Sequence, residues 1–260
     1  MDRSDIFDTA AAMADAARAK TMPLFRSEGL RPDNKQAGGF DPVTEADRQS
    51  ERAMRQILAD RRPEDAILGE EFGTQPGSSG LTWVLDPIDG TRAFISGAPS
   101  WGTLIGLTDE SGPIFGIVDQ PFTGERFEGG LGRARVVTRE GERALETRKD
   151  VALHEATLLS TFPEVGSSDE YEGFHRVASQ VRLTRYGLDC YGYALLALGQ
   201  VDLVIEAGLQ AYDVVAPIAV VQAAGGVVTD WQGEPAHNGG RIIAAATPEI
   251  HAKALTLLNS

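Results

Sequence analysis

Apolar positions recur along the chain with two different periods, and the two periods interleave. Ile6, Ala10, Met13, Ala17 and Met22 fall near helical spacing in an alanine-rich stretch, which predicts a helix over residues 5–26. Gly29, Pro32, Gly38 and Gly39 interrupt it. A second helix is predicted to start at Thr44, where Asp47 three residues on forms a capping pair, with Met54, Ile57 and Leu58 as its apolar face. Short apolar runs at 66–68 and 83–85 read as buried strands, separated by a Gly/Ser/Pro-rich loop over 73–80. Runs at 103–107 and 114–118 flank Asp109-Glu110-Ser111-Gly112 and read as a hairpin, followed by a strand pair near Phe127 and 135–138. In the second half, strands are predicted at 156–160, 203–206, 227–229 and 242–245. Helices are predicted at 169–179, 191–198, 214–223 and 248–258, with Gly225-Gly226 closing the third of these.

Strands and helices alternate in both halves, which predicts a layered α/β or α+β (mixed) architecture. Neither internal repeats nor low-complexity tracts are visible. The 260 residues suffice for one large domain or two closely packed halves.

Charge narrows the function classes. The net charge of −14 leaves no basic excess to neutralise a nucleic-acid backbone. It does not exclude an anionic substrate, because bound divalent cations would dominate the local field. The single cysteine, Cys190, rules out an intramolecular disulfide and a cysteine-rich metal site. The N-terminal residues lack a signal-peptide pattern, and no apolar run approaches a membrane span, so a cytoplasmic protein with no membrane partner is expected. The four histidines, His154, His175, His237 and His251, show no ligand spacing and read as surface residues.

The sharpest local feature is Asp86-Pro87-Ile88-Asp89-Gly90-Thr91 at the end of an apolar strand. Pro87 fixes the backbone and Gly90 permits a tight approach, so both carboxylates and a carbonyl can aim at one point, the oxygen environment that Mg²⁺ requires. Thr91 would open a helix whose first amides face a phosphate. Taken alone, the segment reads equally as a proline turn with solvated aspartates. Glu70-Glu71 also follows a short apolar strand and can present a carboxylate to the same corner. Asp213 precedes an apolar helix and by itself reads better as an N-cap; Asp47 by itself can simply support its helix start.

In combination these segments resemble the inositol monophosphatase family. The likeness is carried by Asp41-Pro42-Val43-Thr44-Glu45-Ala46-Asp47, Gly69-Glu70-Glu71, Asp86-Pro87-Ile88-Asp89-Gly90-Thr91, and Tyr212-Asp213 with Ala216 and Gly225-Gly226, in the family's order and spacing. Tyr212 departs from the tryptophan usual there. The resemblance implies an αβαβα sandwich whose halves, 1–145 and 146–260, meet at the metal site. The first half would carry most metal ligands; the second would carry the substrate residues and the last ligand. It implies that Glu70, Asp86, Asp89 and Asp213, with the Ile88 carbonyl, hold about two or three Mg²⁺ ions. Gly90 and Thr91 would bind the phosphate, while Asp47, Thr91 and Glu70 would act on the attacking water. Lys35 falls in the region of a family lysine near the phosphate. A homodimer acting on a small phosphate ester is the assembly the family implies.

Within the family, Trp83 to Gly97, Gly102-Thr103-Leu104-Ile105, Asp119-Gln120-Pro121 and Gly187 to Tyr193 are similar to the histidinol-phosphatases. Asp189 then stands at the substrate pocket, where inositol phosphatases have small or hydroxyl residues. With Glu206 it would suit the cationic amine of histidinol phosphate. Arg185 joins them as a substrate-binding candidate. Without the resemblance, Asp189 and Glu206 read as a helix-start aspartate and a strand-end glutamate on a solvated rim. Inositol-phosphate, sugar-bisphosphate or 3′-nucleotide phosphatases keep the same metal residues, and a non-enzymatic scaffold is the remaining alternative. Gly129 to Gly132 lacks the glycine spacing of a nucleotide loop, and Cys190 reads as a buried or pocket-lining thiol.

Overall fold

The computed structural model describes residues 2–28, 30, 32–34 and 42–260. The expectations attached to Lys35, to Asp41 and to most of the loop before it lie outside these residues. In chain order the elements are α1 (Arg3–Thr21), β1 (Asp33–Asn34), β2 (Pro42–Val43), α2 (Glu45–Arg61), β3 (Ala66–Gly69), β4 (Gly73–Gln75), β5 (Thr82–Asp89) and α3 (Thr91–Ser96). Five strands follow: β6 (Gly102–Asp109), β7 (Gly112–Gln120), β8 (Glu125–Gly130), β9 (Arg133–Thr138) and β10 (Gly141–Ala144). After a 3₁₀ turn (Leu153–Glu155) come β11 (Thr157–Ser160), α4 (Ser168–Ala178), β12 (Leu183–Tyr186), α5 (Cys190–Ala197), β13 (Leu203–Gln210), α6 (Ala211–Ala223), β14 (Val227–Asp230), β15 (Gly239–Ala245) and α7 (Pro248–Leu258).

Among the described residues β1 and β2 pair with each other, and the other strands form two mixed sheets. The first runs β10-β9-β8-β7-β6-β5-β3-β4 and the second β12-β11-β13-β15-β14. Their central strands are apolar on both faces because both faces are covered. Ile105, Leu107, Ile117, Trp83 and Leu85 meet Ile6, Met13, Met54 and Leu58 of α1 and α2. Their neighbours Leu104 and Val118 point the other way, toward Tyr193, Val214 and Val220 of α5 and α6. The same two helices bury Leu159, Val204 and Ile242 of the second sheet. Its outer face, with Leu158, Leu203 and Ile243, is sealed by Phe174 of α4 and Ile250 and Ala254 of α7. The result is five layers, helix–sheet–helix–sheet–helix, the expected sandwich.

One feature sets how deeply α6 seats. Gly106, Gly116 and Gly129 are cross-strand partners in β6, β7 and β8, forming a stripe across the sheet. A Cβ at Gly116 would lie 2.4 Å from the Ala216 carbonyl oxygen, and one at Gly129 2.4 Å from Val220 Cα. The helix backbone therefore rests directly on strand backbone.

Several boundaries differ from the sequence reading, each for a physical reason. α1 stops at Thr21, five residues early, because Pro23 has no amide to continue the helical ladder; Met22 itself keeps helical geometry as the C-cap, and turns continue to Arg26. β4 occupies part of the expected 73–80 loop as an exposed hairpin partner of β3. β5 does not end at Asp86-Pro87 but continues to Asp89 through a register shift against β6 between those aspartates. β10 and β12 escaped detection because they are mostly solvent-exposed edge strands with no apolar alternation to read. His251 is a correction: it is buried on α7, with Nε2 2.8 Å from the Thr229 hydroxyl.

Two outcomes follow. Gly116→Ala should lower the unfolding free energy by about 1–3 kcal/mol, read as a shifted urea midpoint at unchanged slope. Burial depresses the His251 pKa below its ordinary 6.5. The unfolded chain therefore takes up a proton first, so the stability contribution of neutral His251 is complete above that value and is lost as pH falls below it. Relative to His251→Gln, the wild type should lose stability between about pH 7 and pH 5 in parallel denaturation curves; parallel pH dependence in both proteins would refute the assignment.

Candidate active site

Carboxylates from β5 and from the start of α6 converge at one point, with the starts of α2 and α5 beside them. The register shift in β5 turns Asp86 and Asp89 toward the start of α6, which carries Asp213. Carboxylate oxygens of these three residues lie within 4.8 Å of one another. Each carboxylate is aimed by a backbone amide. The Ile88 amide donates to Asp86 Oδ1 at 3.0 Å, the Cys190 amide to Asp89 Oδ2 at 2.6 Å, and the Gln210 amide to Asp213 Oδ2 at 2.6 Å. The last bond belongs to a capping box in which Gln210 is the N-cap and Asp213 the third helical residue. Asp213 thus supports the helix start from inside rather than capping it.

Glu70 follows β3, its amide donating to the Leu85 carbonyl at 3.1 Å, and it adds negative charge to Asp47, Asp86 and Asp213. Asp47 forms the expected capping box: its Oδ2 accepts from the Thr44 amide at 2.8 Å and hydroxyl at 2.6 Å. Its Oδ1 is buried without a hydrogen-bond partner. Gly90, in the left-handed region at φ 80°, ends the strand and opens α3, where the Thr91 hydroxyl donates to the Ile88 carbonyl at 3.1 Å. The Ile88 side chain is fully buried, so only its backbone serves the site.

The crowding shows in the proton affinities. Asp86 is pushed well above the carboxylate range by burial and then by Glu70, Asp89 and Asp213. Asp89 is raised by burial, Asp189 and Asp213. Asp213 is pushed up to about 7, mainly by burial, against the opposing Gln210 amide. Asp47 is pushed up to about 6, again by burial first. An all-oxygen donor set that repels itself, beside a buried carboxylate oxygen with no partner, fits hard divalent cations.

A cavity of about 350 Å³ opens from this cluster. Asp89, Gly90, Thr91 and Asp213 line one end, and Asp189 and Glu206 line its wall. Asp189 directly precedes α5 at φ 48°, ψ −142°, a backbone region that side chains disfavour. A Cβ on Gly90 would lie 2.8 Å from the Asp189 carboxyl carbon, so the phosphate-side turn and Asp189 touch. Burial and then Glu206 push Asp189 up to about 6. Glu206 is buried, accepting from the Thr161 amide and hydroxyl and from the Tyr193 hydroxyl. Arg185 is placed elsewhere. It is exposed on β12, the edge strand of the second sheet, and is absent from the cavity lining. The substrate role expected for Arg185 has no support in this placement, because the edge strand runs outside the cavity wall.

Some contributors were not singled out in the sequence. Tyr193 and Arg92 stood only as letters within longer motifs, yet both line the cavity, as does Phe162, which no motif marked. Glu51, one helical turn beyond Asp47, is fully buried; it accepts from the Glu71 amide at 2.7 Å and from Arg55 Nε at 2.7 Å, clamping the turn that carries Glu70. A buried acid at i+4 from Asp47 was the available signal. Cys190 is buried, and burial followed by Asp89 raises its thiol well above its ordinary value, so it stays protonated and is no nucleophile.

The sequence profile of the inositol monophosphatase family matches residues 2–260. The chain belongs to the inositol monophosphatase family. It is accordingly a phosphoric monoester hydrolase of the kind that acts on small phosphate esters. The chloroplastic bifunctional phosphatase IMPL2 of Arabidopsis thaliana is 40% identical over 95% of this chain and 73% of its own length. A histidinol-phosphatase of Mycobacterium tuberculosis is 36% identical over 96% of each chain, and the inositol-1-monophosphatase ImpA of Mycolicibacterium smegmatis is 32% identical over 97% and 91%. A solved inositol monophosphatase from Zymomonas mobilis superposes with a TM-score of 0.87 at 39% identity, covering all of both chains. Among the described residues of this family member, no helix is long and apolar enough to cross a membrane.

The strain at Asp189 is measurable without substrate. Asp189→Gly should raise the unfolding free energy of the metal-free enzyme by about 1 kcal/mol or more, since it removes both the disfavoured backbone geometry and a repulsive charge. Asp189→Asn removes the charge alone and should give a smaller gain in the same urea titration; equal gains would show that backbone strain contributes nothing.

Proposed function

We propose that this enzyme hydrolyses histidinol phosphate to histidinol and phosphate with Mg²⁺ as its metal. The observation that carries the reading is the pair of acids lining the cavity beside the carboxylate cluster, Asp189, partly exposed to the cavity, and Glu206, buried in its wall. A phosphate ester spanning that cavity sets its organic half against negative charge, which suits a primary ammonium group and offers less to a neutral polyol. Relatives named histidinol-phosphatase at 36% and 35% identity support the same choice.

Glu70, Asp86, Asp89 and Asp213, with the Ile88 carbonyl, are the residues that would hold the metal. When bound, Mg²⁺ supplies neutralisation of the phosphoryl charge and acidification of water. The chain's own groups do the rest. The Gly90 and Thr91 amides at the start of α3 donate to phosphate oxygens. Asp47, locked through Oδ2 by Thr44, keeps Oδ1 as an acceptor for a proton of the attacking water. Glu70 and the Thr91 hydroxyl orient that water on the side away from the ester oxygen. Asp189 receives the ammonium group, and Glu206, held by Thr161 and Tyr193, supports it from behind. This assigns positioning and charge placement as the main sources of rate enhancement.

Phosphate release with Mg²⁺ should show kcat/KM for histidinol phosphate at least about tenfold above inositol 1-phosphate, fructose 1,6-bisphosphate and adenosine 3′,5′-bisphosphate. Asp89→Asn should lower kcat by about 10²–10³-fold on every ester. Asp189→Asn should raise KM selectively for histidinol phosphate. A preference for inositol 1-phosphate, with Asp189→Asn indifferent, would replace the substrate assignment and leave the carboxylate roles standing.

A further inference from the structure

Beyond the acidic wall, the cavity contains an aromatic side chain that the chemistry above does not use. β11 ends at Ser160, and Thr161 is pinned by amide and hydroxyl bonds to Glu206. Phe162 comes next and lines the cavity with 45% of its surface exposed. Its backbone has little freedom. Pro163 follows, the Val165 amide donates to the Phe162 carbonyl at 3.2 Å, and Val165 sits at φ 54°. A rigid turn thus holds an open phenyl ring at the cavity, although nothing in the packing of the core requires it there.

The ring is also tied to the phosphate end. The Arg92 guanidinium carbon lies 4.8 Å from its centroid. Arg92 is the second residue of α3, directly after Thr91, so the contact fixes the ring relative to the turn that receives the phosphate. The same arginine draws the Asp189 proton affinity downward. One cavity therefore offers a carboxylate and an aromatic ring, both referenced to the phosphate turn. A polyol would use hydroxyl partners and gain little from an exposed phenyl ring. A planar unsaturated ring gains from stacking, and a cationic one gains further from the ring's negative face.

We propose that Phe162 is a specificity-determining residue, the surface against which the flat ring of the substrate's organic half lies while Asp189 takes its ammonium group. The inference rests on the reading of the substrate as histidinol phosphate, and it adds the contact that separates a planar ring from a saturated one. Phe162 touches no reacting atom, so it acts on binding and not on the rate of bond cleavage.

The test compares four esters, histidinol phosphate, inositol 1-phosphate, 2-phenylethyl phosphate and 2-cyclohexylethyl phosphate, in wild type and in Phe162→Ala, Phe162→Leu and Phe162→Tyr, all with saturating Mg²⁺. Phe162→Ala should raise KM about tenfold for the two flat-ring esters, with kcat held within about twofold and the two saturated esters unaffected. Tyrosine should restore the wild-type KM and leucine should not, since leucine replaces the apolar area without the π face. If histidinol phosphate is a poor substrate but the phenyl-over-cyclohexyl preference exists and vanishes in Phe162→Ala, the substrate assignment fails and the stacking role stands. An equal loss on all four esters, restoration by leucine, or no phenyl preference in the wild type overturns the role of Phe162.

Discussion

Buried negative charge that repels itself is the constraint on which this structure depends. Asp47, Asp86, Asp89 and Asp213 come from positions spread over most of the chain, and their proton affinities are all raised, by burial first and then by neighbouring carboxylates, Glu70 among them for Asp47, Asp86 and Asp213. Such a cluster would splay apart if its members were free to rotate. They are not free, because each accepts from a backbone amide fixed in a strand bulge or a helix start. The fold acts as a frame that holds these carboxyl groups in place. That explains why the site sits where three elements meet: no single strand or helix offers four anchored carboxylates to one point.

The two ends of the cavity do separate work. The phosphate end is built from backbone, with amides of a short helix and carboxylates locked by amides, and it gives little scope for variation. The organic end is built from side chains on three different segments: Asp189 before α5, Glu206 on β13 and Phe162 after β11. On the proposed assignment, an ester is recognised there by charge and shape. The relatives reflect this split, since chains of similar identity are named for histidinol phosphate and for inositol phosphate.

Much of this was legible in the sequence because the relevant signals are local. Asp86-Pro87-Ile88-Asp89-Gly90-Thr91 announces its turn through proline and glycine chemistry, and Thr44 with Asp47 announces a capping box. What stayed hidden depends on tertiary placement. β10 and β12 have no buried face, so they leave no period to detect. Arg185 lies only four residues from Asp189, but the chain leaves the sheet edge between them, and sequence proximity did not become spatial proximity. Glu51 looked like any helical acid until the turn after β3 closed over it. His251 looked exposed because nothing local reveals that α7 packs this residue against β14, where Thr229 bonds its ring.

The glycine stripe beneath α6 has an evolutionary consequence. With the backbone of β7 and β8 meeting the backbone of α6 at Gly116 and Gly129, the separation between that helix and the sheet is set by main chain and not by a side-chain rotamer. The rim residues contribute nothing to that separation. If Asp189 and Phe162 read the substrate as proposed, a lineage can exchange them and drift from one ester to another while the spacing of the carboxylates stays constant. Divergence in what the enzyme recognises is uncoupled, by the geometry of three missing methyl groups, from what it does to phosphorus.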